Sequence, residues 1–162
     1  MSAGVAPRPS GFSLIELMVA LALLAVLALL VLPLAQVQAQ RSKEAELRRA
    51  LDDIRSAIDA YHDAALRGAI ALPVNANPYP PSLQVLADGV TDAQHAGGRR
   101  LYFLRRVPRD PFHADPRTPA AETWALRSYD SPPDAPAPGS DVYDVASRSA
   151  GIGLNGVPYK QW

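Results

Sequence analysis

One long apolar run dominates the start of the chain. From Phe12 to Ala35 the single charged side chain is Glu16, near the front edge, and no further charge follows until Arg41. A helix of about 20 mostly apolar residues crosses the hydrocarbon layer of a bilayer, so the run is long enough to span one. An ionised side chain in such a run costs on the order of 2.5–3.5 kcal/mol at the helix centre and less near an end. A lone carboxylate there is a functional candidate that needs a partner. Pro33 removes one backbone donor and is expected to kink or loosen the helix, a defect that neighbouring helices compensate inside a membrane. Gln36, Gln38 and Gln40 mark the exit into water. Residues 1–11 hold Ala, Pro, Gly and Ser with one Arg and no period, and read as an unstructured leader on the cytoplasmic side.

From Arg41 to about Arg67 the pattern turns amphipathic. Leu47, Leu51, Ile54, Ile58, Tyr61 and Ala65 are spaced three and four apart and share one helix face. Glu44 and Arg48 form an acid-first pair four residues apart, and Gly68 and Pro73 end the helix. Nothing but Pro33 interrupts the two patterns. They predict a single helix of about 55 residues, about 80 Å long at 1.5 Å per residue. Residues 69–100 read mostly as loop, with a stiff Pro78-Tyr79-Pro80-Pro81, a short helix through Leu86 capped by Ser82, and a turn at Gly97-Gly98. Residues 123–129 and 141–147 are rich in aromatic and β-branched side chains and read as strands. The proline-rich 131–139 stretch joins them and cannot lie inside a sheet. An antiparallel pair with a long loop is marginal by itself, so it must pack on the helix stripe. The expected fold class is α+β: a long N-terminal helix, half transmembrane and half amphipathic, packed on a small loop-rich domain with a short antiparallel sheet.

Composition adds constraints. The 162 residues allow one domain, and roughly 125 of them lie outside the leader and the membrane run. Lys+Arg and Asp+Glu are both 16, so no global charge steers the chain to nucleic acid or anionic lipid. Cysteine is absent; rigidity must come from packing, a metal or assembly. His62, His95 and His113 are scattered without metal-ligand spacing, and no phosphate loop, dinucleotide fingerprint or nucleophile elbow occurs. No enzymatic activity is expected.

Gly11-Phe12-Ser13-Leu14-Ile15-Glu16-Leu17-Met18-Val19 resembles the class III signal motif of type IV pilins and type II secretion pseudopilins. The resemblance implies that a prepilin peptidase cuts between Gly11 and Phe12 and N-methylates Phe12. It further implies that Glu16 pairs with the N-terminal amine of a neighbouring subunit during assembly, and that Pro33 is the helix-bending proline of many members. Such a pairing is physically sensible, because two buried opposite charges offset their burial only at close range. Two rival readings remain. A cleaved secretory signal, cut near Val37-Gln38-Ala39, has too short an apolar core to match. A plain membrane anchor explains the length but not the Gly-Phe-Glu spacing.

Tyr79-Pro80 together with Pro108, Asp110, Pro111 and Phe112 resembles the pattern of G-type major pseudopilins, with Phe112 where a Trp is more usual. The absence of cysteine also favours the pseudopilin branch over the type IVa major pilins, many of which close a C-terminal loop with a disulfide. The Gly-rich tail ending in Trp162 is similar to the C-terminal loop that commonly binds calcium in that group. This chain has no Asp or Glu between Ser147 and Trp162, so Asp144, Ser147 and Asn155 are weak calcium candidates, and no other cofactor is implied. The five arginines at 99, 100, 105, 106 and 109, interleaved with Tyr102 and Phe103, invite a nucleic-acid reading. A solvated basic face with both rings turned to the core is the commoner outcome, and nucleic acid is not an expected partner.

The resemblance thus implies three parts: a cleaved leader (1–11), a transmembrane and assembly helix (12–40) and a periplasmic pilin-like domain (41–162). The implied function is a structural filament subunit of a type II secretion pseudopilus. It would sit in the bacterial inner membrane as a single-pass protein with its C-terminal domain in the periplasm. The implied partners are further copies of itself, other pseudopilins, the inner-membrane assembly platform and the prepilin peptidase. The alternative is a type IV pilin or minor pilin in adhesion, motility or DNA uptake.

Overall fold

The computed structural model describes residues 13–74, 76–95 and 97–162, and for 29–33 the backbone alone. Helix α1 (Leu14–Leu66) contains both sequence patterns, and its backbone stays helical through Pro33. The chain divides into two compact units, Met1–Gln40 and Arg41–Trp162.

In the first unit the described side chains of α1 before Gln40 are exposed, Leu14 at 77% and Leu34 at 72% among them. Contiguous apolar exposure on this scale marks a surface made for a membrane or for other proteins. Among the described residues no helix is long and apolar enough to cross a membrane; the side chains of 29–33, inside the apolar run, are not among them.

In the second unit the predicted stripe is the core. Leu47 and Ile54 are fully buried, and Leu51, Ile58, Tyr61 and Ala65 are buried with them. Ala50, Ala57 and Ala64 fill the flank of the same face, where small side chains allow close approach. Each large aliphatic side chain removed from water contributes roughly 1.5–3 kcal/mol. Against this face pack Leu83 and Leu86 of α2 (Leu83–Asp88), together with Trp124, Val142, Val145 and Tyr159. Helix α2 starts after Ser82, which makes no side-chain cap hydrogen bond, contrary to expectation. It ends at Gly89, whose φ of 75° and contact with the Tyr102 ring exclude a side chain: a Cβ there would lie 2.8 Å from that ring.

Two small antiparallel sheets complete the domain. β1 (Val90–Thr91) pairs with β2 (Arg100–Leu101), a hairpin absent from the sequence reading. Its turn is tied by Asp92, which accepts the Gln94 amide at 3.0 Å and contacts His95 Nδ1 at 2.6 Å. The Gln94 hydrogen bond, aided by His95, outweighs burial and holds the Asp92 carboxyl below its ordinary pKa. β3 (Trp124–Arg127) pairs with β4 (Asp144–Ser147) in the register Trp124↔Ser147 to Arg127↔Asp144. This is the antiparallel pair with a long loop, shorter than 123–129 and 141–147 because a side chain ends it. Asp141 is buried and accepts the Tyr129 amide at 2.9 Å, the Ser128 hydroxyl at 3.2 Å and the Asn77 amide at 3.1 Å. Those bonds replace further ladder.

The basic stretch is only half as expected. Phe103 packs edge-on to Tyr61, with ring centroids 5.4 Å apart. Tyr102 does not turn to the core; it is 63% exposed, because its backbone follows β2 and its ring lies over Gly89.

Candidate functional site

Glu16 lies in the first turn of α1, exposed, three residues after Ser13. The Ser13 carbonyl accepts the Leu17 amide at 3.1 Å and opens the helical ladder. A carboxylate at this end is favoured by the positive end of the helix dipole. Ser13-Leu14-Ile15-Glu16 also has the spacing of a capping box, so Glu16 carries two competing readings, charge and cap. Gly11 and Phe12, the expected processing positions, lie outside the described residues, as does the side chain of Pro33.

The other end of the chain is organised by two carboxylates, Asp110 and Glu44, whose long-range partners the sequence did not reveal. Asp110 is 1% exposed. Its Oδ1 accepts the Phe112 amide at 2.8 Å and its Oδ2 accepts the Ser147 hydroxyl at 2.6 Å, so the Pro-x-Asp-Pro-Phe loop is latched to β4. The Asp110 amide donates to Thr123 Oγ1 at 3.1 Å, and the Trp124 indole N–H donates to the Pro108 carbonyl at 2.8 Å. Phe112 then stacks on Tyr159 at 4.2 Å. Glu44, 3% exposed, reaches the same region from α1: its Oε1 accepts the Leu154 amide at 2.8 Å and the Tyr159 hydroxyl at 3.0 Å. The predicted Arg48 contact is long, 3.9 Å, and Arg48 lies over the Trp162 ring at 4.3 Å. The signal for Glu44 was present. It falls three residues before Leu47 and seven before Leu51, on the buried face rather than beside it.

Arg55, at the edge of the stripe, binds three oxygens at once. Its Nε donates to Asp144 Oδ1 at 2.8 Å, and its Nη2 donates to the Val145 and Trp162 carbonyls at 3.1 and 2.7 Å. Hydrogen bonds to a charged group are worth about 1.5–3 kcal/mol, less where solvent screens them. Replacing Arg55 with Met should therefore lower the urea midpoint of the domain by the equivalent of about 2 kcal/mol, and a midpoint within error of the parent would show the clamp to be idle.

The calcium candidates are not brought together. Asp144 Oδ1 is held by Arg55 and by the Val145 amide. The Ser147 hydroxyl is buried, donates to Asp110 and accepts the Ser149 amide at 3.0 Å. Asp144 and Ser147 alternate across β4, so they face opposite sides. Asn155 Oδ1 accepts the Val157 amide at 3.0 Å. Calcium takes six to eight oxygens, several of them carboxylate; these three residues do not fit it. Among the described residues no group of three or more His, Cys, Asp and Glu could hold a metal. The histidines are also apart: His62 stacks on Tyr79, His95 meets Asp92, and His113 Nε2 lies 3.1 Å from Thr118 Oγ1.

Residues 7–32 match the family model described as the prokaryotic N-terminal methylation motif. That match supports a type IV pilin-like protein, processed by prepilin peptidase. The α+β architecture, with its long N-terminal helix and short antiparallel sheets, is consistent with the pilin-like fold. Neither the comparison with curated proteins nor the comparison with solved structures returns a match. The matched segment includes Glu16 and ends at residue 32, one residue before Pro33 and within the apolar half of α1.

Proposed function

We propose that this pilin-like chain is a pseudopilin, a non-catalytic filament subunit of a type II secretion pseudopilus. The observation that carries the proposal is the methylation motif placed on the apolar half of α1, where Glu16, in the first turn, is the one charged residue before Arg41. In this reading Gly11 is the last residue of the leader and Phe12 becomes the methylated N-terminus. The apolar half of α1 anchors the subunit in the inner membrane and then packs against its counterparts in the filament. Glu16 sets the register by pairing with a neighbour's Phe12 amine. Growth of the filament pushes folded proteins outward. The latched Pro108-to-Phe112 loop supports the pseudopilin branch, since its Asp110 is the centre of a buried hydrogen-bond network rather than an incidental match.

The test is the intact mass of the protein from membranes of cells with and without prepilin peptidase. The expected species begins at Phe12, is one methyl heavier, and is lost in the peptidase mutant. An unprocessed chain in both strains, or one beginning at Gln40, would remove the proposal. A deletion strain that stops exporting its secreted enzymes while keeping surface pili separates the secretion role from a pilus role.

A further inference from the structure

Arg127 and Asp144 stand directly opposite each other on the β3–β4 ladder, a placement in which opposite charges ordinarily pair. Here they do not. Asp144 is taken by Arg55, and among the described residues no ion pair joins it to Arg127. The Arg127 Nε is buried with no hydrogen-bond partner. Its guanidinium lies 5.3 Å from the centre of the Tyr143 ring, and one terminal nitrogen reaches the Ser131 carbonyl only at 3.5 Å. An unsatisfied buried donor is unfavourable, and a charged one more so.

Arg127 lines a cleft of about 700 Å³ with Arg148 and Lys160, both exposed. Arg148 uses its Nε on the Trp124 carbonyl, and the one carboxylate in the lining, Asp144, is already engaged. Among the described residues no ion pair engages Arg127, Arg148 or Lys160, so three positive side chains face the cleft. The cleft also has an apolar side: the Ala125↔Ala146 cross-strand pair, with Pro133 and Pro136 from the loop. Trp162 is the lining's one aromatic residue and Arg48 already covers its ring, so no base-stacking platform is free. Those features select a carboxylate on an extended, slender backbone.

We propose that this cleft docks an extended acidic segment of another protein, with a carboxylate on Arg127 and the backbone over Ala125 and Ala146. The chain's own exposed carboxylates do not supply such a segment. Glu16, Glu46, Asp52, Asp53, Asp59 and Asp63 are on α1, Asp88 ends α2, Glu122 lies in the helical turn that leads into β3, and Asp130 and Asp134 belong to the loop that forms the cleft's proline wall. The site lies wholly within the Arg41–Trp162 unit and stands whether or not the chain forms a filament.

The experiment is calorimetric titration of the full chain in nonionic detergent micelles. The probes are an acetylated, amidated peptide of alternating proline and glutamate, which is extended before binding, and its proline–glutamine counterpart. The glutamate peptide is expected to saturate one site, and the glutamine peptide to bind at least about tenfold more weakly, since charge-assisted pairing is lost. Arg127→Gln should weaken the glutamate peptide about tenfold, and Lys160→Gln by a smaller factor, with the thermal midpoint unchanged. Lys160 is exposed, so its variant keeps the test open if Arg127→Gln fails to fold. Equal affinity for the two peptides, or no effect of either variant, overturns the proposal. So does full displacement by equimolar inorganic phosphate, which would mean an adventitious anion site only. Self-association in sedimentation that Lys160→Gln abolishes would assign the cleft to a second copy and overturn the foreign partner.

Discussion

Glu16→Gln should abolish assembly while leaving the subunit cleaved, inserted and folded. In a low-dielectric filament core, removing one partner of a buried ion pair leaves the other charge uncompensated, at about 3–5 kcal/mol, more than a hundredfold in association. The glutamine variant is chosen because it separates the two readings of this position. A capping box accepts Gln as readily as Glu, so a capping role predicts normal assembly in Glu16→Gln and a defect in Glu16→Ala. A charge-pairing role predicts that both fail alike. Crosslinking of neighbouring subunits in membranes reads the result, with the intact mass confirming that processing at Gly11-Phe12 is unchanged. Filaments in the glutamine variant at parental yield would refute the pairing of Glu16 with a neighbour's amine.

The second large effect is expected at Asp110. Asp110→Ala removes both acceptors of a carboxylate that is 1% exposed, leaving the Phe112 amide and the Ser147 hydroxyl unpaired around a cavity. Unsatisfied buried donors cost about 1–3 kcal/mol each, so a loss of about 3–5 kcal/mol is expected. That is a large part of the 5–15 kcal/mol typical of a domain. Asp110→Asn keeps the acceptor for Phe112 and should lose about 1–2 kcal/mol. Urea unfolding followed by the fluorescence of Trp124, whose indole is bound to the neighbouring Pro108 carbonyl, measures both. If alanine and asparagine cost the same, the Phe112 contact to Oδ1, which asparagine keeps, contributes nothing. If neither costs anything, the latch is not a stabilising element at all.

What could be read from the sequence was whatever repeats at the period of its own element. The stripe from Leu47 to Ala65 alternates by three and four, and every member is buried. The strands around Trp124 and Val145 carry side chains that suit a half-buried pleat, and they pair as expected. The β1–β2 hairpin was invisible because two residues per strand cannot display alternation. Tyr102 was misread because composition says nothing about which ring of Tyr102-Phe103 the backbone turns outward. The network of Glu44, Arg55 and Asp110 was missed for a different reason. Each of these side chains acts on groups distant in sequence, mostly backbone amides and carbonyls, which have no signature of their own. Glu44 pairs locally with Arg48 on a helical wheel, and the stronger long-range bonds to Leu154 and Tyr159 override that pairing. The calcium candidates are kept apart by a related effect: Asp144 and Ser147 are near in sequence but on opposite faces of one strand.

The clamps on the C-terminal segment also set an order of events. Arg55 reaches Trp162 across 107 residues, and Glu44 reaches Leu154 and Tyr159 across 110 and 115. Contacts of such separation are closed late, because the chain entropy lost in bringing the ends together must be met before any bond rewards it. During synthesis the amphipathic half of α1 therefore waits, with its buried carboxylate and part of its apolar face uncovered, until almost the whole domain has left the ribosome. A nascent chain in that interval is the form most exposed to proteases and to premature association, and the arrival of residues 154–162 brings the interval to an end.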